Sequence, residues 1–171
     1  MIKETIQNYN NAFLTEKEQN VFLNKVLNNT VVETRLPEIL FITSYPPREC
    51  GIATYSQDLV MAMDKKFNRS FKISICPIES ENDQHTYAEG IKYILNKDFP
   101  KAFITLAKFI NNDDNIRVVM IQHEFGLFAD SEESFNHFLQ ALTKPVVIVF
   151  HTVLPHPDKA LKEKVQLIEN A

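Results

Sequence analysis

From residue 38 onward, short apolar runs alternate with amphipathic stretches. The runs are nearly continuous in apolar residues, as is typical of strands buried on both faces of a sheet. Five of them predict strands: Ile39–Thr43, Phe71–Cys76, Ile91–Leu95, Val118–Gln122 and Val146–Phe150. Apolar positions at helical spacing predict helices at about 53–66, 100–112, 132–143 and 157–169. Strands that alternate with helices predict an α/β fold with a Rossmann-like parallel sheet and helices on both faces.

The first 37 residues have a different pattern. Apolar residues recur there at spacings of four, three and four, as on one face of a helix. They are Ile2, Ile6, Tyr9 and Phe13. We therefore predict a helical N-terminal arm at 1–37 and a Rossmann-like domain at 38–171. The arm could pack on the domain or form a dimer through helix–helix contact, and a partly disordered leader is the alternative.

Composition narrows the classes of function. The chain has 171 residues, with 18 Lys and Arg against 22 Asp and Glu and a net charge of −4. It has no block of five like charges, so a nucleic-acid partner is not expected. No apolar run approaches the roughly 18 residues of a membrane span, and the polar start lacks a signal-peptide core. Two cysteines, Cys50 and Cys76, do not form a disulfide framework, so we expect a cytoplasmic protein.

The loop after the first predicted strand is the most specific segment. Open parallel sheets bind ligands beyond the carboxyl ends of their strands. Arg48 can offer a planar set of donors to a phosphate or to sugar hydroxyls. Gly51 lets the backbone approach a ligand at a helix start, where free N–H groups favour anions. A tight structural turn would also use these residue types, and no G-x-G-x-x-G or P-loop motif supports a dinucleotide or NTP site.

Two further predicted strands each end in a histidine, at His123-Glu124 and at His151-Thr152. Imidazoles that face a cleft can bind sugar hydroxyls or transfer a proton. A single histidine at a strand end is often only a hydrogen-bonded structural residue. Metal binding is poorly supported because no compact spacing such as H-E-x-x-H occurs. A serine hydrolase is also poorly supported, since no serine lies in a G-x-S-x-G turn.

Three segments, ILFITSYPPRECGIATYSQDLV, IQHEFGLF and VVIVFHTVLPHPD, resemble in order and spacing the N-terminal half of family-4 (group 1) glycosyltransferases. The resemblance covers about residues 38–170, and similar sequences form a bacterial, mannosyltransferase-like branch. It implies a GT-B architecture, in which two Rossmann-like domains face each other across a cleft. The N-terminal domain receives the acceptor, and the C-terminal domain binds the nucleotide-sugar donor. Members transfer a hexose from a UDP- or GDP-sugar with retention of configuration, usually without a metal or other cofactor.

The resemblance also implies roles for individual residues. His151 is the expected catalytic residue, because it matches a histidine that contacts the transferred sugar near the reaction centre. The expected substrate-binding residues are Arg48, Gly51, Ile52, His123, Glu124 and Thr152. Among them the Gly51 loop would lie against the donor phosphates and the acceptor, and His123 and Glu124 would line the acceptor side. Such a site would act by positioning the reactants and stabilising the departing phosphate.

The family's donor half carries an E-x7-E element and basic residues that grip the diphosphate, and the resemblance does not extend to that half. We therefore expect an acceptor-side domain of a longer enzyme, inactive as an isolated fragment. The expected partners are a nucleotide-sugar donor held by the missing C-terminal domain and a glycan or small-molecule acceptor. Peripheral membrane association of the full-length enzyme is compatible with this assignment. The alternatives are a non-catalytic carbohydrate- or nucleotide-binding α/β module and a GT-B nucleotide-sugar epimerase relative.

Overall fold

The computed structural model describes residues 36–67, 70–87 and 90–171, so the predicted N-terminal arm lies outside it apart from its last two residues. No helix within these ranges is long and apolar enough to cross a membrane. The strands are β1 (Glu38–Thr43), β2 (Lys72–Glu79), β3 (Leu95–Asn96), β4 (Ile116–His123) and β5 (Val146–Phe150). The helices are α1 (Gly51–Phe67), α2 (Pro100–Asn112), α3 (Glu132–Ala141) and α4 (Lys159–Glu169), with a 3-10 turn at Phe125–Leu127.

The five strands form one parallel sheet in the order β3-β2-β1-β4-β5. The first strand is central, since Phe41 aligns with Ile75 of β2 on one side and with Met120 of β4 on the other. At one edge of the sheet β4 pairs with β5, and His123 aligns there with Phe150. The predicted α/β, Rossmann-like parallel sheet is therefore confirmed. Its carboxyl edge brings the loops after β1, β4 and β5 next to one another.

Alternation along β1 separates two buried faces of the sheet. Leu40 and Ile42, both fully buried, belong to the main core, which includes buried residues of α2 and α3. Phe103 of α2 and Phe138 of α3 meet there with ring centroids 6.2 Å apart. On the other face α1 reaches the sheet, where the hydroxyls of Thr43 and Ser56 lie 2.6 Å apart. Helices thus cover both faces of the sheet, as predicted from the sequence.

The edge of the sheet beyond β2 differs from the prediction. The predicted strand Ile91–Leu95 is reduced to an isolated bridge between Ile91 and Ile75, followed by the two-residue strand β3. Between these points the chain leaves the ladder. Its Lys92 ammonium lies 2.7 Å from Glu38 Oε2 and 2.6 Å from Asp113 Oδ2. Because Glu38 is almost fully buried, this ion pair offsets the desolvation of its carboxylate.

Candidate functional site

The loops after β1, β3, β4 and β5 meet at an open pocket of about 500 Å³ at the carboxyl edge of the sheet. Five of the seven site residues predicted from the sequence line it: Arg48, Gly51, Ile52, Glu124 and His151. The remaining lining residues are Ser44, Cys50, Lys97, Gly126 and Leu127. We call this the edge pocket. The structure thus brings most of the predicted residues together, while their roles stay predictions.

The amino end of α1 forms one wall of the edge pocket. This 17-residue helix begins at Gly51 and has no acidic residue in its first turn. Its first N–H groups have no intrahelical partner, so they present partial positive charge. A Cβ added at Gly51 would meet no heavy atom within 4 Å. The space in front of the helix is therefore open, and packing within the fold does not by itself require glycine there.

Arg48 joins this wall to the polar loop after β2. Its Nε lies 3.3 Å from Asp83 Oδ2, and the other oxygen of Asp83 lies 2.8 Å from His85 Nε2. The backbone N–H of His85 donates to the buried carboxylate of Glu79 at 2.9 Å. Burial raises the pKa of the nearby Tyr87 phenol, and its hydrogen bond to Glu79 raises that pKa further. Arg48 is thus shared between the edge pocket and Asp83 of the loop after β2.

His151 is held from two directions. Its Nε2 lies 2.8 Å from Oε1 of Gln122, which is fully buried in β4. The ring of Tyr55, on α1, packs edge-on against the imidazole with centroids 4.9 Å apart. The backbone N–H of His151 also donates to the carbonyl of His123 at 3.0 Å, which continues the β4–β5 pairing. The side chain of the predicted catalytic residue is therefore fixed at the pocket wall.

The carboxylate of Glu124 is held by the loop after β5 and by its own loop. Thr152 Oγ1 donates to Glu124 Oε2 at 2.5 Å, and the N–H of Gly126 donates to Oε1 at 3.5 Å. Thr152 does not line the edge pocket. It faces an adjacent apolar pocket of about 410 Å³, which Phe150 and Leu161 also line. The contribution of Thr152 to the edge pocket is therefore made through Glu124.

His123 lies in the core rather than at the edge pocket. Only 2% of it is exposed, and its ring stacks on Phe128 with centroids 5.3 Å apart. Burial lowers the pKa of His123 to about 4, against the smaller raising effects of Glu124 and Glu132. The side chain borders a small pocket of about 30 Å³ and is neutral at physiological pH. Its ring is one of a cluster of aromatic side chains that also includes Phe125, Phe135 and Phe150.

Lys97 is a pocket residue that the sequence reasoning missed. It follows β3 directly, and its ammonium donates to the carbonyl of Leu127 at 3.1 Å. One carbonyl uses one of the three ammonium donors, so two remain for a ligand. The rule that ligands bind beyond strand ends could have found Lys97, since it follows the predicted strand Ile91–Leu95 by two positions.

The chemistry of the edge pocket favours a ligand that combines an anion with hydroxyl groups. Two cationic side chains, Arg48 and Lys97, lie near a helix amino terminus, and all three attract phosphate. Glu124 and His151 can exchange hydrogen bonds with hydroxyls. Within residues 36–67, 70–87 and 90–171, no group of three His, Cys, Asp or Glu side chains is arranged to hold a metal ion.

No family model and no curated protein sequence matches this chain. Among solved structures, it is similar to an alpha-glucosyltransferase in complex with UDP and a 13-mer DNA containing a central A:G mismatch. The TM-score is 0.46 and the identity 9%, over 80% of this chain and 36% of that chain. The match therefore spans about a third of the length of that protein. A likeness this weak does not assign an activity.

Proposed function

We propose that this chain is the acceptor-side domain of a retaining glycosyltransferase of the GT-B type, related to family 4 and its mannosyltransferase-like branch. It would work with a donor-binding domain to move a hexose from a UDP- or GDP-sugar to a glycan or small-molecule acceptor, without a bound metal. The observation that carries the proposal is the edge pocket itself. There Arg48, Lys97 and the start of α1 at Gly51 lie beside His151.

The distribution of charge in the edge pocket supports separate places for phosphate and sugar. Arg48, Lys97 and the amino end of α1 are positive and suit the diphosphate of the donor. His151 and Glu124 carry the hydrogen-bonding groups that suit hydroxyls. The volume of about 500 Å³ falls within the roughly 300–1,000 Å³ typical of small-molecule sites. The pocket therefore matches a nucleotide-sugar and acceptor better than it matches an isolated inorganic ion.

The proposal gives His151 the catalytic contact with the transferred hexose. Its ring is fixed by Gln122 and Tyr55, so it needs little reorganisation when a substrate binds. Catalysis would come from orientation of the two reactants and from stabilisation of charge on the departing nucleotide phosphate. His123, buried among aromatic rings, has a structural part in this proposal rather than a contact with the acceptor.

Titration of the ¹⁵N-labelled chain tests the proposed ligand class. UDP-glucose and GDP-mannose should shift the amide resonances of Gly51, Ile52 and Gly126 with dissociation constants of about 1 mM. The affinity is expected to be weak because this chain would supply only one half of a two-domain site. Lys97→Gln should weaken this binding about fivefold through loss of a charge-assisted contact. Lys101→Gln, which removes an exposed charge on α2, serves as the matched control. Shifts confined to other surfaces, or equal effects of the two lysine variants, would contradict the proposal.

A further inference from the structure

We infer that Gln122 is a positioning residue that holds His151 in the tautomer with its proton on Nε2. The inference itself rests on the geometry of the two side chains. Its consequence for catalysis rests on the function proposed above. Oε1 of Gln122 lies 2.8 Å from Nε2 of His151, although the two residues are 29 positions apart in sequence. Gln122 is fully buried, so water does not compete for its carbonyl oxygen.

The chemistry of the pair decides which ring nitrogen faces a ligand as an acceptor. With Oε1 of Gln122 facing the ring, Nε2 of His151 must be the donor, because a carbonyl oxygen has no proton to give. In a neutral imidazole the other nitrogen, Nδ1, then carries a lone pair. Nδ1 makes no hydrogen bond to any residue in the part of the chain that the structure describes. His151 lines the edge pocket, so Nδ1 is the acceptor nitrogen that this tautomer leaves for a ligand.

An acceptor at this position selects the hydroxyl-bearing part of the ligand. A sugar hydroxyl can donate to Nδ1, whereas a diphosphate oxygen is unprotonated near neutral pH and cannot. The phosphate is left to Arg48, Lys97 and the start of α1. Gln122 thus helps to set the orientation of a nucleotide-sugar in the edge pocket, although it does not line the pocket itself.

Three contacts keep the imidazole from rotating away from this arrangement. Gln122 is fixed by the pairing of β4 with β5, where it aligns with Val149. Tyr55 packs edge-on against the ring, and the backbone N–H of His151 is bonded to the carbonyl of His123. Because the glutamine is already ordered by the core, little side-chain entropy is lost when the hydrogen bond forms. A preorganised acceptor follows from this arrangement.

NMR of the intact 171-residue chain tests the inference without any ligand. In ¹H–¹⁵N spectra of the imidazoles, His151 should show a slowly exchanging proton on Nε2. Gln122→Met, which keeps the volume but removes the acceptor, should abolish that resonance, and Gln122→Glu, which keeps an acceptor oxygen, should retain it. Gln140→Met, on the exposed side of α3, is the matched control. A labile proton on Nδ1, or an unchanged Nε2–H resonance in Gln122→Met, would overturn the inference.

A binding experiment then separates this inference from the proposed function. We expect Gln122→Met to weaken UDP-glucose about fivefold while changing the affinity for UDP less than twofold, since only the sugar uses Nδ1. An equal loss for both ligands would contradict the role in sugar orientation. If neither ligand binds the wild-type protein, the proposed function fails. The ligand-free spectra still decide which nitrogen of His151 carries the proton.

Discussion

Thr152 donates a hydrogen bond to the carboxylate of Glu124 at 2.5 Å and so joins the loop after β5 to the loop after β4. Glu124 faces the edge pocket, while Thr152 faces the apolar pocket beside it. The two loops are contributed by adjacent parallel strands, whose ends are in register at His123 and Phe150. This hydrogen bond connects the geometry of the edge pocket to the packing behind it.

We expect Thr152→Val to destabilise the fold by about 1 kcal/mol and to weaken UDP-glucose binding several-fold, because the Glu124 carboxylate loses its hydroxyl partner. Thr152→Ser keeps the hydroxyl and should restore both properties. Urea denaturation and ligand titration give the two values. Thr143→Val, at an exposed position, is the control. Ligand affinities that are equal in Thr152→Val and wild type would show that the hydrogen bond does not organise the pocket.

In the proposed function, Asp83 competes with the ligand for Arg48. Its carboxylate lies 3.3 Å from Arg48 Nε, and both side chains are partly exposed. Asp83→Asn should therefore free the guanidinium and tighten UDP binding roughly threefold, an effect in the range of surface ion pairs. Isothermal titration calorimetry measures the change. Glu81→Gln removes an exposed charge from the same loop and controls for general electrostatics; equal gains in the two variants would argue against a specific role for the Arg48–Asp83 pair.

Lys92 stabilises two carboxylates, that of buried Glu38 and that of partly exposed Asp113. Burial alone would lower the pKa of Lys92, but its hydrogen bonds to Asp113 and Glu38 raise that pKa overall. Lys92→Met leaves the almost fully buried Glu38 without its cation and should cost about 3 kcal/mol of unfolding free energy. Adding Glu38→Gln should recover part of that loss. Lys108→Met, an exposed site on α2, should change stability by no more than about 0.5 kcal/mol.

Chemical denaturation across pH checks this assignment. A loss of unfolding free energy in Lys92→Met that is no larger than the loss in Lys108→Met would contradict the assignment.

The same ion pair affects acid stability through Asp113. Burial tends to raise the pKa of Asp113, but the hydrogen bond from Lys92 lowers it overall. This contribution is therefore present above the unfolded-state value of 3.8 and is lost as pH falls below it.

His123 makes the fold sensitive to mild acid. Its pKa is lowered from 6.5 to about 4 by burial, so the unfolded chain binds a proton below pH 6.5 that the folded chain does not. The free energy of unfolding should therefore fall by about 3 kcal/mol between pH 6.5 and pH 4 on account of this group. His123→Phe, which suits the aromatic surroundings, should remove that part of the slope. His137→Gln, at an exposed site, should leave the slope unchanged, and identical slopes in His123→Phe and wild type would contradict the assignment.

Local patterns in the sequence predicted the central elements well. The bounds of β5, Val146–Phe150, and of α2, Pro100–Asn112, are those predicted, because a continuous apolar run and an amphipathic stretch opened by proline are strong local signals. Of the strand predicted at Ile91–Leu95, only the Ile91–Ile75 bridge and the two-residue β3 form, and the Lys92 side chain between them pairs with carboxylates of distant segments. An apolar run in the sequence gives no sign that a lysine within it will pair with carboxylates elsewhere in the chain.

The sequence indicated where the pocket would lie but not how its side chains would be held. The rule that ligands bind beyond strand ends was enough to collect Arg48, Gly51, Glu124 and His151. The hydrogen bond of Gln122 to His151 spans 29 positions and leaves no local signature. His123 and His151 look equivalent in sequence, yet the first is buried among aromatic rings and the second reaches the pocket. The two histidines differ only in the packing around the strand end at which each lies.

Hexose transfer by the native gene product tests the central claim most directly. The product would be purified by a tag from its own cells, so that any further domain or subunit stays with it. It would be assayed with UDP-glucose and GDP-mannose, with and without glycans extracted from those cells. We predict acceptor-dependent release of UDP or GDP that falls by about 100-fold or more in His151→Ala and not in His156→Ala, an exposed control. Wild-type turnover in His151→Ala, or conversion of the sugar-nucleotide without any acceptor, would contradict the account.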